Sequence, residues 1–212
     1  MLSWFCKGKW PEISDNEIRK RSRILVIDDF DFPYLKLFKK DNYAIDKWSD
    51  VKDLPKLESG YYDIILLDIQ GVGREQSPEQ GLGVLKHLRN VNPAQIIIAY
   101  SGADWSLKYQ DFFQMADATL AKSDDYYLFK RKVDQLLKDR FSLGFYVNRI
   151  CMIAGDRFKD DQILQKIARE AILRRSTDRL EKYLNKSLEN KEIVSLAIKA
   201  AKVAITLLGS LL

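Results

Sequence analysis

The sequence predicts an open, all-parallel α/β sheet followed by an all-helical segment. Between residues 23 and 140, five short β-rich apolar runs alternate with polar or amphipathic stretches, as strands joined by crossover helices do. The run before Asp68 is apolar throughout and is followed at once by glycines, which fits a strand buried on both faces. From Phe141 onward these runs stop, no proline follows Pro93, and apolar residues recur at helical spacing.

Residues 1–22 read as an N-terminal extension, with Trp4, Phe5 and Trp10 packing on the body and Asp15, Glu17 and Ile18 opening a short helical turn. Arg23 to Ile27 is the first strand. It runs into Asp28-Asp29, and Pro33 suits the first turn of the helix that continues from Tyr34 to Lys40. Tyr43 to Trp48 is a second strand, and 49–59 a short helix holding or ending at Pro55. The stretch from Tyr62 to Gly73 contains the central strand, ending at Asp68, and a loop from Gln70 to Gln80 follows. Leu82, Leu85 and Leu88 give the next helix its apolar spacing, and Pro93 ends it. Gln95 to Tyr100 is a strand ending at Ser101-Gly102, Ser106 to Met115 an amphipathic helix, and Ala118 to Ala121 a strand ending at Lys122. Asp124 or Asp125 caps the helix that runs through Tyr127, Phe129, Val133 and Leu137.

In the tail, Ile163, Ile167 and Ala171 share one helical face and Leu180, Leu184 and Leu188 another. Glu192, Ser195, Lys199, Lys202 and Thr206 form a single narrow polar stripe on the last helix, which must bury most of its circumference. Three partners suit that apolar face: the other tail helices, a second copy of the chain through residues 190–212, or a membrane surface with Lys199 and Lys202 at the interface.

Composition narrows the classes of function. Hydrophobic residues at 46% and charged residues at 31% give a chain able to bury a core and stay in solution. Residues 1–140 balance 22 Lys and Arg with 22 Asp and Glu, while residues 141–212 hold 13 against 8, so the whole net charge of +5 belongs to the tail. No basic block accompanies it, the tail has no helix-turn-helix pattern, and Arg174, Arg175 and Arg179 read as a solvated helix face, so nucleic acid is disfavoured. Cys6 and Cys151 provide neither a disulfide framework nor zinc spacing, and a cytoplasmic location is expected. His87, the only histidine, reads as a surface or boundary residue. Its solitude argues against His-rich metal sites and Ser-His or Cys-His catalysis.

The carboxyl ends of parallel strands share one sheet edge, where such folds hold ligands. The pair Asp28-Asp29, Asp68, Ser101 and Lys122 all fall there. Three carboxylates brought together repel one another, and a hard cation such as Mg²⁺, which prefers oxygen ligands, relieves that repulsion. A hydroxyl and a compact ammonium beside them suit phosphoryl oxygens. The implied chemistry is attack of Asp68 on a phosphoryl group to give an aspartyl phosphate.

With these residues in place, 23–140 resembles the receiver domain of bacterial two-component response regulators. The matching motifs are the acidic pair in ILVIDDF, the acceptor in IILLDI, the hydroxyl in IIIAYSG and the lysine in ADATLAK. The resemblance implies a flavodoxin-like five-stranded parallel sheet with 141–212 as a helical C-terminal extension. It implies Mg²⁺ held by Asp28, Asp29, Asp68 and the backbone carbonyl of Gln70, with Ser101 and Lys122 on the phosphoryl group and room for that group beside Gly102. It also implies a sensor histidine kinase or phosphotransfer protein as donor, a further effector as partner, and a regulator rather than an independent enzyme. Three positions depart from the family pattern. Ser123 replaces the usual proline, Thr119 replaces the usual aromatic switch (Tyr100 is a candidate substitute), and Gly71-Val72-Gly73 replaces the Met-Pro turn. Ser123 and Thr119 favour an alternative, a non-switching pseudo-receiver scaffold. A second rival, an Asp-nucleophile phosphatase or phosphotransferase of haloacid-dehalogenase type, wants an Asp where Gln70 stands.

Overall fold

The computed structural model describes residues 14–102 and 110–209. Trp4, Phe5, Trp10, Cys6 and the start of the helix expected from Ser106 lie outside the described residues.

Five strands form the sheet: β1 (Arg23–Ile27), β2 (Ala44–Trp48), β3 (Ile64–Leu67), β4 (Ile96–Ser101) and β5 (Ala118–Ala121). They are parallel and run in the order β2-β1-β3-β4-β5. The register pairs Ile27 with Leu67 and Leu67 with Ala99, which sets Asp28 and Asp68 level at adjacent strand ends. Side chains alternate across the pleat. Ile24, Val26, Ile64 and Leu66 face a core completed by α2 (Leu35–Lys40) and α6 (Tyr126–Arg140). Leu25, Ile27, Ile65 and Leu67 face the opposite core, against α3 (Leu54–Glu58), α4 (Gly81–Val91) and α5, described over Gln110–Met115. A sheet covered on both faces explains why β3 is apolar at every position.

Residues ahead of the sheet form α1 (Asp15–Arg21), with Ser14 as its cap, acids in the first turn and three bases in the last, complementing the helix dipole. Buried Ile18 and the Arg19–Asp134 ion pair, at 2.7 Å, dock it on α6. Pro55 falls in the first turn of α3, where its missing N–H costs nothing, and Asp53 caps that helix. Asp125, not Asp124, caps α6 by accepting from the Leu128 N–H at 2.8 Å. Of the aromatic cluster at the start of α6, Phe129 is buried and Tyr126 hydrogen-bonds Asp41, whereas Tyr127 is exposed.

The tail consists of α7 (Leu143–Ala154), a 3₁₀ turn at Asp156–Phe158, α8 (Gln162–Arg174), α9 (Asp178–Ser187) and α10 (Lys191–Gly209). Their apolar faces make one core, with Leu164, Leu180, Leu184, Ala197, Ala200, Ala201 and Ala204 fully buried. The polar stripe of α10 is its exposed face, and its small residues let the other tail helices approach closely. Over Lys191–Gly209, tail helices of the same chain cover most of that apolar face, the first of the three partners that suit it. Arg179 pairs with Glu170, and Arg175 donates to the carbonyl of Gly209. No helix among the described residues is long and apolar enough to cross a membrane.

The tail joins the sheet at its amino-terminal edge. Ala94, just ahead of β4, belongs to the tail core. Arg149 of α7 and Arg89 of α4 both pair with Asp117, one residue ahead of β5. Arg140, at the end of α6, reaches Asp63 ahead of β3 and donates to the hydroxyl of Tyr146 at 2.8 Å. These side chains are nearly all buried.

Candidate functional site

The carboxyl edge of the sheet brings the acids together. Ligand oxygens of Asp28, Asp29 and Asp68 all lie within 4.8 Å of one another. Backbone pairing fixes two of them, since the Asp28 N–H donates to the Trp48 carbonyl and the Asp68 N–H to the Ile27 carbonyl. Both are thereby extensions of strands, and both are buried. Asp29 is exposed, with its carboxylate over Gly71, where an added Cβ would come within 2.2 Å of an oxygen. Gly71 and Gly73 both have positive φ, so the glycines that replace the Met-Pro turn are needed by the loop's shape.

Lys122 lies between two of the acids. Its ammonium donates to Asp28 Oδ1 at 2.9 Å and Asp68 Oδ2 at 2.6 Å. Its main-chain N–H donates to the Ser101 carbonyl at 3.0 Å, which brings the predicted hydroxyl residue, itself buried, beside the lysine. The remaining Asp68 oxygen accepts the N–H groups of Ile69 at 2.7 Å and Gln70 at 3.4 Å. A Cβ at Gly102 would meet the Lys122 stem at 3.4 Å, an ordinary contact, so this glycine is not compelled by crowding.

Burial raises the Asp68 carboxyl above the ordinary carboxylate range, helped by the charge of Asp28 and opposed by Lys122. For Lys122, burial alone would lower the ammonium. Its bonds to Asp68 and Asp28 outweigh burial, and the net shift is upward. One lysine thus only partly compensates three acids. Asp28 Oδ2 is buried with no hydrogen-bond partner, an arrangement that costs free energy unless a cation or water completes it. The donor set is all oxygen, which fits Mg²⁺.

Sequence-predicted residues that the structure brings together are Asp28, Asp29, Asp68, Ser101 and Lys122, and Gln70 lies beside them through its N–H. Tyr100, the candidate moving aromatic, is buried and packs edge-on against Phe32 and Phe129. Sequence reading missed Phe30, an exposed ring whose centroid lies 5.3 Å from the Lys122 ammonium. It also missed Gly81, where a Cβ would approach the Asp68 carbonyl to 2.0 Å. The DDF and GLG runs hinted at both, but only contact gives them roles.

Strand order 2-1-3-4-5, helices on both faces and acids at the carboxyl edge are now all in place. The fold is flavodoxin-like. Solved structures similar to this chain are mostly receiver domains. One is a CheY-like response regulator receiver domain protein from Methanospirillum hungatei JF-1, 23% identical, covering 56% of this chain and 95% of its own, with a TM-score of 0.46. Another is the response regulator TrrA from Thermotoga maritima in complex with Mg²⁺-BeF, 27% identical, covering 54% and 98%, with a TM-score of 0.44. A third is the receiver domain of the histidine kinase CKI1 from Arabidopsis thaliana complexed with Mg²⁺ and BeF3⁻, 22% identical, covering 57% and 94%, with a TM-score of 0.41. No family model matches the sequence, and no curated protein matches it.

Proposed function

We propose that this chain is a phosphorylation-controlled signalling protein of the two-component type, in which Asp68 accepts a phosphoryl group. One observation carries the reading: Lys122 bridges two of three carboxylates gathered at the carboxyl edge of a receiver-type sheet. Asp28, Asp29, Asp68 and the Gln70 carbonyl would hold Mg²⁺, which would neutralise charge on the transferring group. An oxygen of Asp68 attacks phosphorus, the bond from phosphorus to the donor's leaving group breaks, and that group departs with the electron pair. The Asp68 carboxyl must be ionised to attack, and Lys122 favours that form against the effect of burial. Lys122 now occupies Asp68 Oδ2, so its ammonium shifts toward the phosphoryl oxygens as they arrive, joined by the Ser101 hydroxyl. The donor would be a histidine kinase, a phosphotransfer protein or a small acyl phosphate. Boundaries at 23–140 for the receiver and 141–212 for the tail are part of this proposal, as is a partner that reads the tail.

A second reading, a non-switching scaffold, is favoured by the locked packing of Tyr100 and by Thr119 in place of an aromatic. The phosphatase reading lacks its second acid at Gln70. Incubation with Mg²⁺ and acetyl phosphate, followed by intact-protein mass spectrometry, is expected to add one phosphoryl group to the wild type and none to Asp68→Asn. No Asp68-dependent adduct would sink the proposal. An adduct that leaves hydrogen exchange throughout the chain unchanged would favour the scaffold, and sustained turnover of phosphate esters would favour the enzyme.

A further inference from the structure

The turn that carries Lys122 is closed by one residue. Between Ala121 and Asp124, the Asp124 N–H donates to the Ala121 carbonyl at 3.0 Å. The Ala121 N–H donates back to Asp124 Oδ2 at 2.7 Å. Lys122 and Ser123 therefore sit inside a ring of two hydrogen bonds, both made by Asp124. From the opposite side, the Tyr34 hydroxyl donates to the Asp124 carbonyl at 2.8 Å. The Tyr34 ring is held by Phe32, Tyr126 and Phe129. Capping of the next helix falls to Asp125, so Asp124 is not engaged in that task. Ser123 is exposed and, unlike a proline, does not fix its own φ. A lysine ammonium rides on a flexible stem, so a held backbone narrows the positions from which it meets both carboxylates.

We infer that Asp124 and Tyr34 are positioning residues: they latch the Lys122 turn so that its ammonium is aimed between Asp28 and Asp68. The purpose of that aim rests on the proposed function, whereas the latch itself does not. The test uses the full chain without metal, with lysine side chains labelled for NMR and the Lys122 signal assigned by its loss in Lys122→Met. Asp124→Ala is expected to move the Lys122 resonance toward that of free lysine, and to slow phosphorylation of Asp68 by acetyl phosphate about tenfold, as a small misplacement can. Mg²⁺ affinity should not fall, because the metal-binding carboxylates stay in place and a competing ammonium moves away from them. Asp124→Asn retains an acceptor for the Ala121 N–H and should behave as wild type. Tyr34→Phe, which keeps the ring, should move the same resonance part of the way. An unmoved Lys122 resonance in Asp124→Ala, or an Asn variant as impaired as Ala, overturns the role of Asp124. If Asp124→Ala fails to fold, an unmoved resonance in Tyr34→Phe overturns the latch. A wild type that forms no adduct defeats the phospho-acceptor reading alone, since the resonance still decides the latch.

Discussion

Asp68 is a carboxylate whose surroundings disfavour its charge. Burial is the largest cause, so the folded-state value lies above the unfolded one. A raised acid contributes stability in its protonated form, fully present below the unfolded carboxylate range and lost as pH rises through the folded value. Metal-free wild type should therefore lose stability across that window, and Asp68→Asn should lose less. Thermal melts in a chelator are expected to show the variant melting higher at neutral pH, with the gap closing as pH falls; a constant gap would contradict this. Added Mg²⁺ should raise the melting temperature of wild type more than that of the variant. Gly81 offers a second test at this scale. A Cβ there overlaps the Asp68 carbonyl, so Gly81→Ala should cost roughly 1–3 kcal/mol by overpacking, read by urea denaturation. The chemical residues were legible in the sequence because each ends an apolar run. Asp124 and Tyr34 were not, because a hydrogen bond between residues so distant in sequence leaves no periodic mark.

Among the elements, the join between α7 and the sheet has the sharpest energetics. Burial alone would raise the Asp117 carboxyl, but Arg89 and Arg149 outweigh it and lower it, aided by the Ile97 N–H. A lowered acid contributes stability above its unfolded value and loses it as pH falls through the folded one, so this join is expected to weaken on acidification. Asp117→Asn leaves two arginines facing each other with little exposure, and should destabilise by roughly 3 kcal/mol or more. That corresponds to about 2–4 °C of melting temperature per kcal/mol, and a change under 1 °C would refute the assignment. Element type was readable nearly throughout, from the five strands to the narrow polar stripe of α10. What periodicity withheld was the identity of each partner. The spacing of α10 demanded burial but fitted a second copy or a membrane as well as α7, and only the tertiary contacts show α7 against it. The Asp117 network was equally hidden, since Arg89, Asp117 and Arg149 belong to three separate segments.

At the scale of the whole molecule, the tail is tied to the sheet through buried ion pairs, with Phe145 and Leu207 packed against both the tail core and one of the two sheet cores. Sheet and tail should therefore unfold together, and thermal transitions followed by far-UV and near-UV circular dichroism are expected to coincide; separated midpoints would show independent units. The tail's place at the amino-terminal edge also fixes its distance from the acids. From Asp63 to Asp68 the chain climbs five residues of strand, about 17 Å at ~3.3 Å each. At an effective dielectric of about 20, a unit charge felt across that span is worth about 1 kcal/mol before salt screens it, and the span exceeds a Debye length of about 8–10 Å. Under the proposed function, a phosphoryl charge at one edge would act only weakly as a field at the other, and displacement of backbone would carry the larger part of the signal. The same separation leaves the two ends independently reachable. Under the proposed function, a phosphoryl donor at the acidic rim and a partner on the helical bundle would not compete for the same surface.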